Sequence, residues 1–242
     1  MHYVMSDIHG CYQEYMELIG LLNLGEEDML YVLGDAMDRG PEPVRVMLDL
    51  MERPQVEYLI GNHDLMFLET MYRLEQEITE ESIQRSLNYQ MMGMYTAWMR
   101  NGGNTTLAKV KELEKAQRHD IIEYLEECIL YEVLDINGKQ YILAHAGIRG
   151  FEEGKPLDEY GVDDFLWKRP DYGKQFFQDE NRILVTGHTP TPLIRDDRQP
   201  VIYQESGHLA IDCGCVFGGA LAAVCLETGV AYYVRSYKGS RV

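Results

Sequence analysis

The stretch MSDIHGC, residues 5–11, places an aspartate and a histidine directly after a short apolar run. Two further apolar runs end in the same way, in GDAMDRG (34–40) and in GNHD (61–64). Segments with apolar residues at helical spacing, 12–22 and 43–51, separate the three runs. Strands that alternate with helices through short loops are typical of a parallel α/β sheet, whose ligands bind at the carboxyl ends of the strands. We therefore expect the three polar clusters to form one site.

The stretch after the third cluster has a different pattern. Residues 64–127 are predicted to be mostly helical, with mixed acidic and basic faces. The sequence NGGNTT at 101–106 interrupts this pattern, and Asn104 or Thr105 is the candidate cap of the helix that follows. We interpret the whole stretch as a helical insertion in the α/β fold.

Strand patterns resume after the insertion. Residues 129–134 and 140–144 flank an NGK turn, which predicts a hairpin, and the apolar run 183–185 ends in TGHTPT. The C-terminal part, 209–236, predicts antiparallel strands with glycine-containing turns, and these suggest a second sheet packed on the first. Because no repeat or linker divides the chain, we predict a single α/β domain over residues 1–242.

The formal net charge of −18 argues against two classes of partner. Nucleic acids and anionic membranes owe most of their protein affinity to Lys and Arg, so we expect neither to bind. No apolar run reaches the roughly 18 residues of a membrane span, and the N-terminus lacks the basic start and apolar core of a signal peptide. We therefore expect a cytoplasmic location. The five cysteines are scattered and odd in number, which favours reduced thiols.

The polar residues at the predicted strand ends form a set with a common chemistry. Taken singly, an aspartate or asparagine beside glycine is most simply turn chemistry. Taken together, carboxylate oxygens and imidazole nitrogens on adjacent strand ends form a mixed ligand pocket that suits manganese, iron or zinc. A carboxylate can also bridge two cations roughly 3.5–4 Å apart, an arrangement used for displacement at phosphorus. The set comprises Asp7, His9, Asp35, Asp38, Arg39, Asn62, His63, Asp64, His145 and His188.

Five short motifs occur in a fixed order: DIHG (7–10), GDAMDRG (34–40), GNHD (61–64), HAG (145–147) and GH (187–188). In that order they resemble the phosphoprotein phosphatase branch of the calcineurin-like metallophosphoesterases, over residues 5 to about 220. Eukaryotic protein phosphatases carry glutamate where GNHD ends in Asp64, which indicates a bacterial type. The resemblance implies a two-sheet sandwich flanked by helices (α-β-β-α). It also implies a phosphatase with two divalent metal ions, manganese first among them, with iron or zinc as alternatives.

The same resemblance implies a role for each site residue. The expected metal ligands are Asp7, His9, Asp35, Asn62, His145 and His188, with Asp35 shared by both ions. His63 would protonate the leaving oxygen, Asp38 would orient the ring of His63, and Arg39 would bind the phosphate. A second phosphate-binding arginine is also expected. Arg169 in LWKR is the candidate, and Arg149 is the alternative.

Three functions remain open from the sequence. The leading hypothesis is hydrolysis of phosphoserine and phosphothreonine in proteins, or of a small phosphoester, by direct attack of a metal-bridging hydroxide. The alternative is a symmetrical dinucleoside polyphosphate hydrolase, because DIHGCY and GNHDL also resemble the symmetrical diadenosine tetraphosphatases. Those enzymes tend to carry ARG where this chain has DRG, so Asp38 favours the protein-phosphatase type. The third is a non-catalytic binding module with a structural metal. Regulatory subunits are not indicated.

Overall fold

The computed structural model describes residues 1–74 and 89–240. In chain order its strands are β1 (His2–Met5), β2 (Met29–Val32), β3 (Val56–Tyr58), β4 (Tyr131–Ile136), β5 (Lys139–Ala144), β6 (Arg182–Thr186), β7 (Tyr203–Glu205), β8 (His208–Ala210), β9 (Ala220–Cys225) and β10 (Ala231–Arg235). Its α-helices are α1 (Tyr12–Leu22), α2 (Pro43–Met51), α3 (Asn62–Leu74), α4 (Tyr89–Trp98), α5 (Asn104–Val110), α6 (Lys115–Glu127) and α7 (Val162–Leu166). None of these helices combines the length and the apolar character needed to cross a membrane.

The described strands form two sheets, each with three parallel strands. The first has the order β10-β9-β1-β2-β3, and the second has the order β4-β5-β6-β8-β7. β1, β2 and β3 are parallel and are joined by α1 and α2, as the strand–helix alternation predicts. β5, β6 and β8 are the parallel strands of the second sheet. Each sheet therefore gathers several strand carboxyl ends along one edge.

The sheets pack face to face, with helices on the outside. Val4 of β1 lies in the core between the sheets together with Leu143 of β5. Its neighbour Met5 points to the opposite face, because side chains alternate along a strand, and belongs to the same core cluster as Leu18 of α1. The ring of Phe165 in α7 stacks against the outer strand β4 of the second sheet. The expected two-sheet sandwich flanked by helices is confirmed.

The C-terminal strands belong to a different sheet from the one predicted. β9 pairs antiparallel with β1, and β10 extends the same sheet, so the prediction that these strands form the second sheet was wrong. Every residue of β9 (ALAAVC) is buried, which suits a strand covered on both faces. The predicted hairpin lies in the second sheet instead. Its turn residues Asn137 and Gly138 have φ values of 52° and 77°, as a type I′ turn requires.

The helices between β3 and β4 differ from the prediction at the start of α5. Part of the predicted helical stretch, 75–88, lies outside the described residues. The cap predicted at Asn104 or Thr105 is wrong, because Asn104 is already helical and no side chain caps α5. A π-helical turn, Met99–Gly103, joins α4 to α5, and Gly102 within it adopts a φ of 106°. The glycines of NGGNTT therefore allow a kink within a continuous helical path.

Two glycines hold the ends of β2 and β3 in close contact. Gly34 has a φ of 80°, and a Cβ atom placed on it would lie 2.5 Å from both the Cα and the N of Gly61. No side chain fits there unless the backbone moves. The pair therefore sets the spacing of the two polar loops, GDAMDRG and GNHD, that follow these strands.

Replacing Gly34 by alanine should lower the free energy of unfolding by about 2–5 kcal/mol, because left-handed strain of about 1–2 kcal/mol adds to overpacking of about 1–3 kcal/mol. Gly138→Ala is the matched control. Gly138 also has a positive φ, but a Cβ atom there would meet no described atom within 4 Å, so the alanine should cost only the left-handed strain. Urea denaturation of both variants checks the difference, and equal losses would contradict this account of the Gly34 contact.

Candidate metal centre

The polar strand ends of both sheets meet in one cluster. Asp7 follows β1, Asp35 follows β2, His145 follows β5 and His188 follows β6, while the GNHD motif after β3 begins α3. Hydrogen bonds cross from sheet to sheet at this edge. The Nδ1 atom of His145 donates to the carbonyl oxygen of Leu33 at 2.6 Å, and the backbone N–H of His188 donates to Oδ2 of Asp7 at 2.8 Å. The structure thus brings together residues that are up to 181 positions apart in the chain.

The backbone is left-handed at many of these positions. Ten non-glycine residues among those described have a positive φ. Such a conformation costs an L-residue roughly 1–2 kcal/mol, and it concentrates where a site must aim its side chains. Six of the ten are candidate site residues: Asp7, His9, Asp35, Asp38, Arg39 and His188.

The carboxylate of Asp35 lies between two imidazole rings. Its Oδ2 atom is 3.6 Å from Nε2 of His9 and 3.6 Å from Nε2 of His145, while its Oδ1 atom accepts a hydrogen bond from the N–H of His63 at 3.0 Å. Each of the two flanking rings donates its Nδ1 proton to a backbone carbonyl oxygen. The Nε2 atoms are therefore the ring nitrogens left to face the Asp35 side of the cluster.

Two groups of possible ligands share this carboxylate. On one side, Oδ1 of Asp7 is 3.9 Å from Nε2 of His9. On the other side, Oδ1 of Asn62 is 2.9 Å from Nε2 of His145 and 2.8 Å from Nδ1 of His188. The shared residue, Asp35, is thus positioned to contact a cation in either group.

The donor chemistry of the cluster fits divalent cations. Buried oxygen and nitrogen lone pairs that face one another repel unless a positive charge lies among them. Burial raises the pKa of Asp35 well above its usual range, lowers the pKa of His9 well below its own, and lowers the pKa of His188 to about 2. The two histidines are therefore neutral, which is the form that binds metal. Possible ligand atoms lie within 4.8 Å of one another in two sets, Asp35 with His145 and His188, and Asp35 with His9 and His63.

His63 and Asp38 form a pair closed to solvent. The Nδ1 atom of His63 donates to Oδ2 of Asp38 at 2.7 Å, and the indole N–H of Trp98 donates to the same oxygen at 2.8 Å. The hydroxyl of Thr106 donates to the other oxygen, Oδ1, at 2.6 Å. These three donors satisfy a carboxylate that is fully buried. The pair fixes the orientation and the tautomer of the His63 ring and leaves its Nε2 atom facing the site.

Trp98 and Thr106 are site residues that the sequence analysis missed. They come from α4 and α5, in the stretch interpreted only as an insertion. The same stretch also holds the backbone of Arg39, whose N–H donates to the carbonyl oxygen of Gly102 at 3.1 Å. A Cβ atom on Gly102 would lie 2.6 Å from Cγ of Arg39, so glycine is needed for this approach. In the sequence, only the glycine pair of NGGNTT indicated that this stretch approaches another part of the chain closely. A single buried Trp or Thr belongs to no recognisable pattern.

The guanidinium of Arg39 spans the mouth of the cluster. Its Nη2 atom donates to Nε2 of His63 at 2.6 Å, and its Nη1 atom contacts Nε2 of His9. Its Nε atom donates to the carbonyl oxygen of Asn101 at 3.3 Å. A guanidinium at the mouth of the cluster can bind an anion from solvent through its terminal nitrogens while its Nε atom stays hydrogen-bonded.

The structure separates the two candidates for a second arginine. Arg169 is exposed, and its charge is close enough to His188 to help lower the pKa of that ring. Arg149 instead pairs with Asp164, with Nε and Oδ1 2.8 Å apart. Arg169 is therefore the better placed of the two.

Two further aspartates support the cluster. Oδ2 of Asp64 accepts hydrogen bonds from the N–H of Asp35, the N–H of Gly61 and the hydroxyl of Tyr58, at 3.0, 2.8 and 2.8 Å, and so ties the loops after β2 and β3 together. Asp212 is buried beyond the end of β8, and burial together with Asp7 raises its pKa well above the usual range. The sequence analysis did not single out Asp212, although LAID ends an apolar run in aspartate just as YVMSD does.

The geometry can be compared with a family model. Residues 3–236, nearly the whole chain, match the model of the calcineurin-like phosphoesterases. The chain is a calcineurin-like phosphoesterase. The resemblance inferred from five short motifs is therefore confirmed, and the enzyme is a metal-dependent phosphoester hydrolase. The non-catalytic binding module is set aside.

Known proteins similar to this phosphoesterase include sequence relatives that match most of the chain. A Bacillus velezensis protein named bis(5′-nucleosyl)-tetraphosphatase PrpE (asymmetrical) is 30% identical over 244 residues, which are 90% of this chain and 86% of that protein. Among solved structures, a protein provisionally assigned as a diadenosine tetraphosphatase superposes with a TM-score of 0.62, at 18% identity, over 98% of this chain and 94% of its own. A serine/threonine phosphatase from Saccharomyces cerevisiae gives 0.52 at 13% identity, over 97% and 79%. The two structures show the shared fold.

Thr106→Val should lower the free energy of unfolding of this phosphoesterase by about 1–3 kcal/mol, because it removes a donor to the buried carboxylate of Asp38. Thr70→Val is the matched control. The Thr70 hydroxyl is also buried but has no hydrogen-bond partner among the described residues, so the same change there should be neutral or stabilising. Urea unfolding of both variants provides the measurement. Equal losses would mean that the bond to Asp38 contributes no particular stability.

Proposed function

We propose that this phosphoesterase hydrolyses dinucleoside polyphosphates, of the diadenosine tetraphosphate class. The observation that carries the proposal is the Bacillus velezensis relative, which is named a tetraphosphatase and matches 90% of the chain at 30% identity. That support falls on the alternative from the sequence analysis rather than on its leading hypothesis, the protein phosphatase. Because the relative is named asymmetrical, we further propose cleavage into unequal products, ATP and AMP, rather than the symmetrical cleavage first considered.

The position of Asp38 explains why the sequence argument for a protein phosphatase was weak. That argument relied on DRG in place of ARG. In the structure, the carboxylate of Asp38 is fully buried and is occupied by His63, Trp98 and Thr106, so it does not face a substrate. A residue that only orients the His63 ring is compatible with a protein phosphatase and with a dinucleoside polyphosphate hydrolase. It therefore does not select between a phosphopeptide and a nucleotide.

We assign the metal ligands from the two groups that share Asp35. Asp7 and His9 would hold one cation with Asp35, and Asn62, His145 and His188 would hold the second with the same carboxylate. Manganese suits the mixture of carboxylate, amide and imidazole donors, and iron and zinc are the alternatives. When bound, such cations activate water at neutral pH and offset the negative charge of phosphate.

The remaining roles follow from side chains that point into the cluster. Nε2 of His63 lies next to Arg39, so a proton taken up at Nε2 when a phosphate occupies that arginine would lie beside the leaving oxygen. Asp38 keeps Nδ1 of the ring protonated and so reserves Nε2 for this transfer. Arg39 is proposed to bind the phosphate oxygens through its two terminal nitrogens, and Arg169 to provide a second positive charge at the entrance.

Incubation of the Mn²⁺-loaded enzyme with diadenosine tetraphosphate, followed by anion-exchange chromatography, tests the proposed function. The expected products are ATP and AMP in equal amounts, whereas ADP alone would indicate the symmetrical reaction. A phosphoserine peptide is the second arm, and its kcat/KM is expected to be at least about tenfold lower, because it lacks the nucleoside contacts. A preference for the peptide would reject the nucleotide hydrolase in favour of the protein phosphatase.

His63→Asn should reduce kcat by about 10²- to 10⁴-fold, the usual contribution of a general acid, while the manganese content stays unchanged. Asp35→Asn is the contrasting variant. It removes the carboxylate that both groups share, and it should lower both the manganese content and the activity. Elemental analysis after reconstitution and dialysis gives the metal content. Full activity in His63→Asn would show that another group supplies the proton.

A further inference from the structure

Phe217 is a large apolar side chain left in solvent at the mouth of the metal centre. Its side chain is 66% exposed, and the Cζ atom of Arg39 lies 5.3 Å from the centre of its ring. Arg39 in turn contacts His63 and His9. A single guanidinium therefore separates this ring from the cluster to which phosphate is proposed to bind.

The backbone beneath the ring forms a hydrogen-bonded turn. A 3₁₀ turn, Cys215–Phe217, lies between Gly214 and Gly218, which have φ values of 71° and 95°. The N–H of Phe217 and the N–H of Gly219 both donate to the carbonyl oxygen of Gly214, each at 3.0 Å. Cys215 and Val216, next to the ring, are buried. The turn thus sets where the exposed ring is attached, and an aromatic side chain with two χ angles loses little conformational freedom when a ligand stacks on it.

A cleft beside the same arginine provides room for a substrate larger than phosphate. Its volume is about 640 Å³, and its lining includes Arg39, Tyr12, Gln13, Tyr237 and Lys238. The ammonium of Lys238 donates to the carbonyl oxygen of Val216 at 3.2 Å, so the cleft and the Phe217 turn are neighbours. The phosphate-binding position therefore has an exposed aromatic ring and an open cleft within reach.

We infer that Phe217 is the stacking residue for a nucleoside base of the substrate. This inference rests on the proposed function and specifies the part of the substrate that the enzyme recognises beyond phosphate. In a nucleotide held by its phosphate at Arg39, the base is one ribose away from that phosphate, a distance that the adjacent ring can cover. Every base presents a flat π face, so stacking on an aromatic side chain binds it without requiring charge. A phosphoserine peptide carries no such ring at this distance.

AMP and ribose 5-phosphate provide the test, because they share the sugar and the phosphate and differ in the base. Each is used as a competitive inhibitor of p-nitrophenyl phosphate hydrolysis by the Mn²⁺-loaded enzyme. AMP should bind about tenfold more tightly than ribose 5-phosphate to the unmodified chain, in line with one base–aromatic stack. Phe217→Ala and Phe217→Leu should abolish this advantage, and Phe217→Trp should retain it. The leucine variant keeps an apolar side chain and lacks only the π face.

Val230→Ala is the matched control, because Val230 is 49% exposed and lies in the turn between β9 and β10, at the opposite end of the first sheet. It should leave the AMP advantage unchanged. Equal binding of AMP and ribose 5-phosphate to the unmodified chain would overturn the inference, as would equal weakening of both ligands in Phe217→Ala. An AMP advantage that depends on Phe217, combined with failure to cleave diadenosine tetraphosphate, would reject the proposed function and support the stacking role.

Discussion

The ring nitrogens that meet at Asp35 impose the main constraint on this molecule. Two buried rings each donate a hydrogen bond from Nδ1–H to a backbone carbonyl oxygen, and their Nε2 atoms lie equally far from one carboxylate oxygen. Such an arrangement is unfavourable in a low-dielectric interior unless a cation is close by. The strand ends, the left-handed residues and the glycine contact between β2 and β3 all serve to hold these groups in place against their mutual repulsion.

The site depends on three parts of the fold that are remote in sequence. The first sheet supplies Asp7 and Asp35, and the second supplies His145 and His188. The helical stretch between β3 and β4 adds no proposed metal ligand beyond the GNHD residues at its start, but it encloses the group that is proposed to transfer the proton. Through Trp98 and Thr106 it saturates the Asp38 carboxylate, and through Gly102 it holds the main chain of Arg39. The side chains proposed to bind phosphate and to transfer the proton are therefore supported by the same helices.

The sequence predicts the parts of this structure that follow from local chemistry. The alternation of apolar runs and polar clusters indicates β1 to β3 and their helices, and the Asn-Gly pair at 137–138 indicates the hairpin. Pairing between distant strands has no local pattern, which is why β9 was predicted in the wrong sheet: its small, wholly apolar residues are compatible with any position covered on both faces. The same limit applies to Trp98 and Thr106. A residue that acts through a single hydrogen bond to a buried carboxylate resembles any other core residue until the chain is folded.

The left-handed backbone at six site positions has a consequence for how this enzyme can change. Each of these residues occupies a conformation that glycine would adopt at lower energy, and the Oδ2 atom of Asp35 also lies 3.6 Å from two ring nitrogens. The strained backbone at these candidate site residues therefore lowers the free energy of unfolding of the protein. Inactive variants with glycine at such a position can be more heat-resistant than the parent, so selection or engineering for thermal tolerance alone would tend to erode activity.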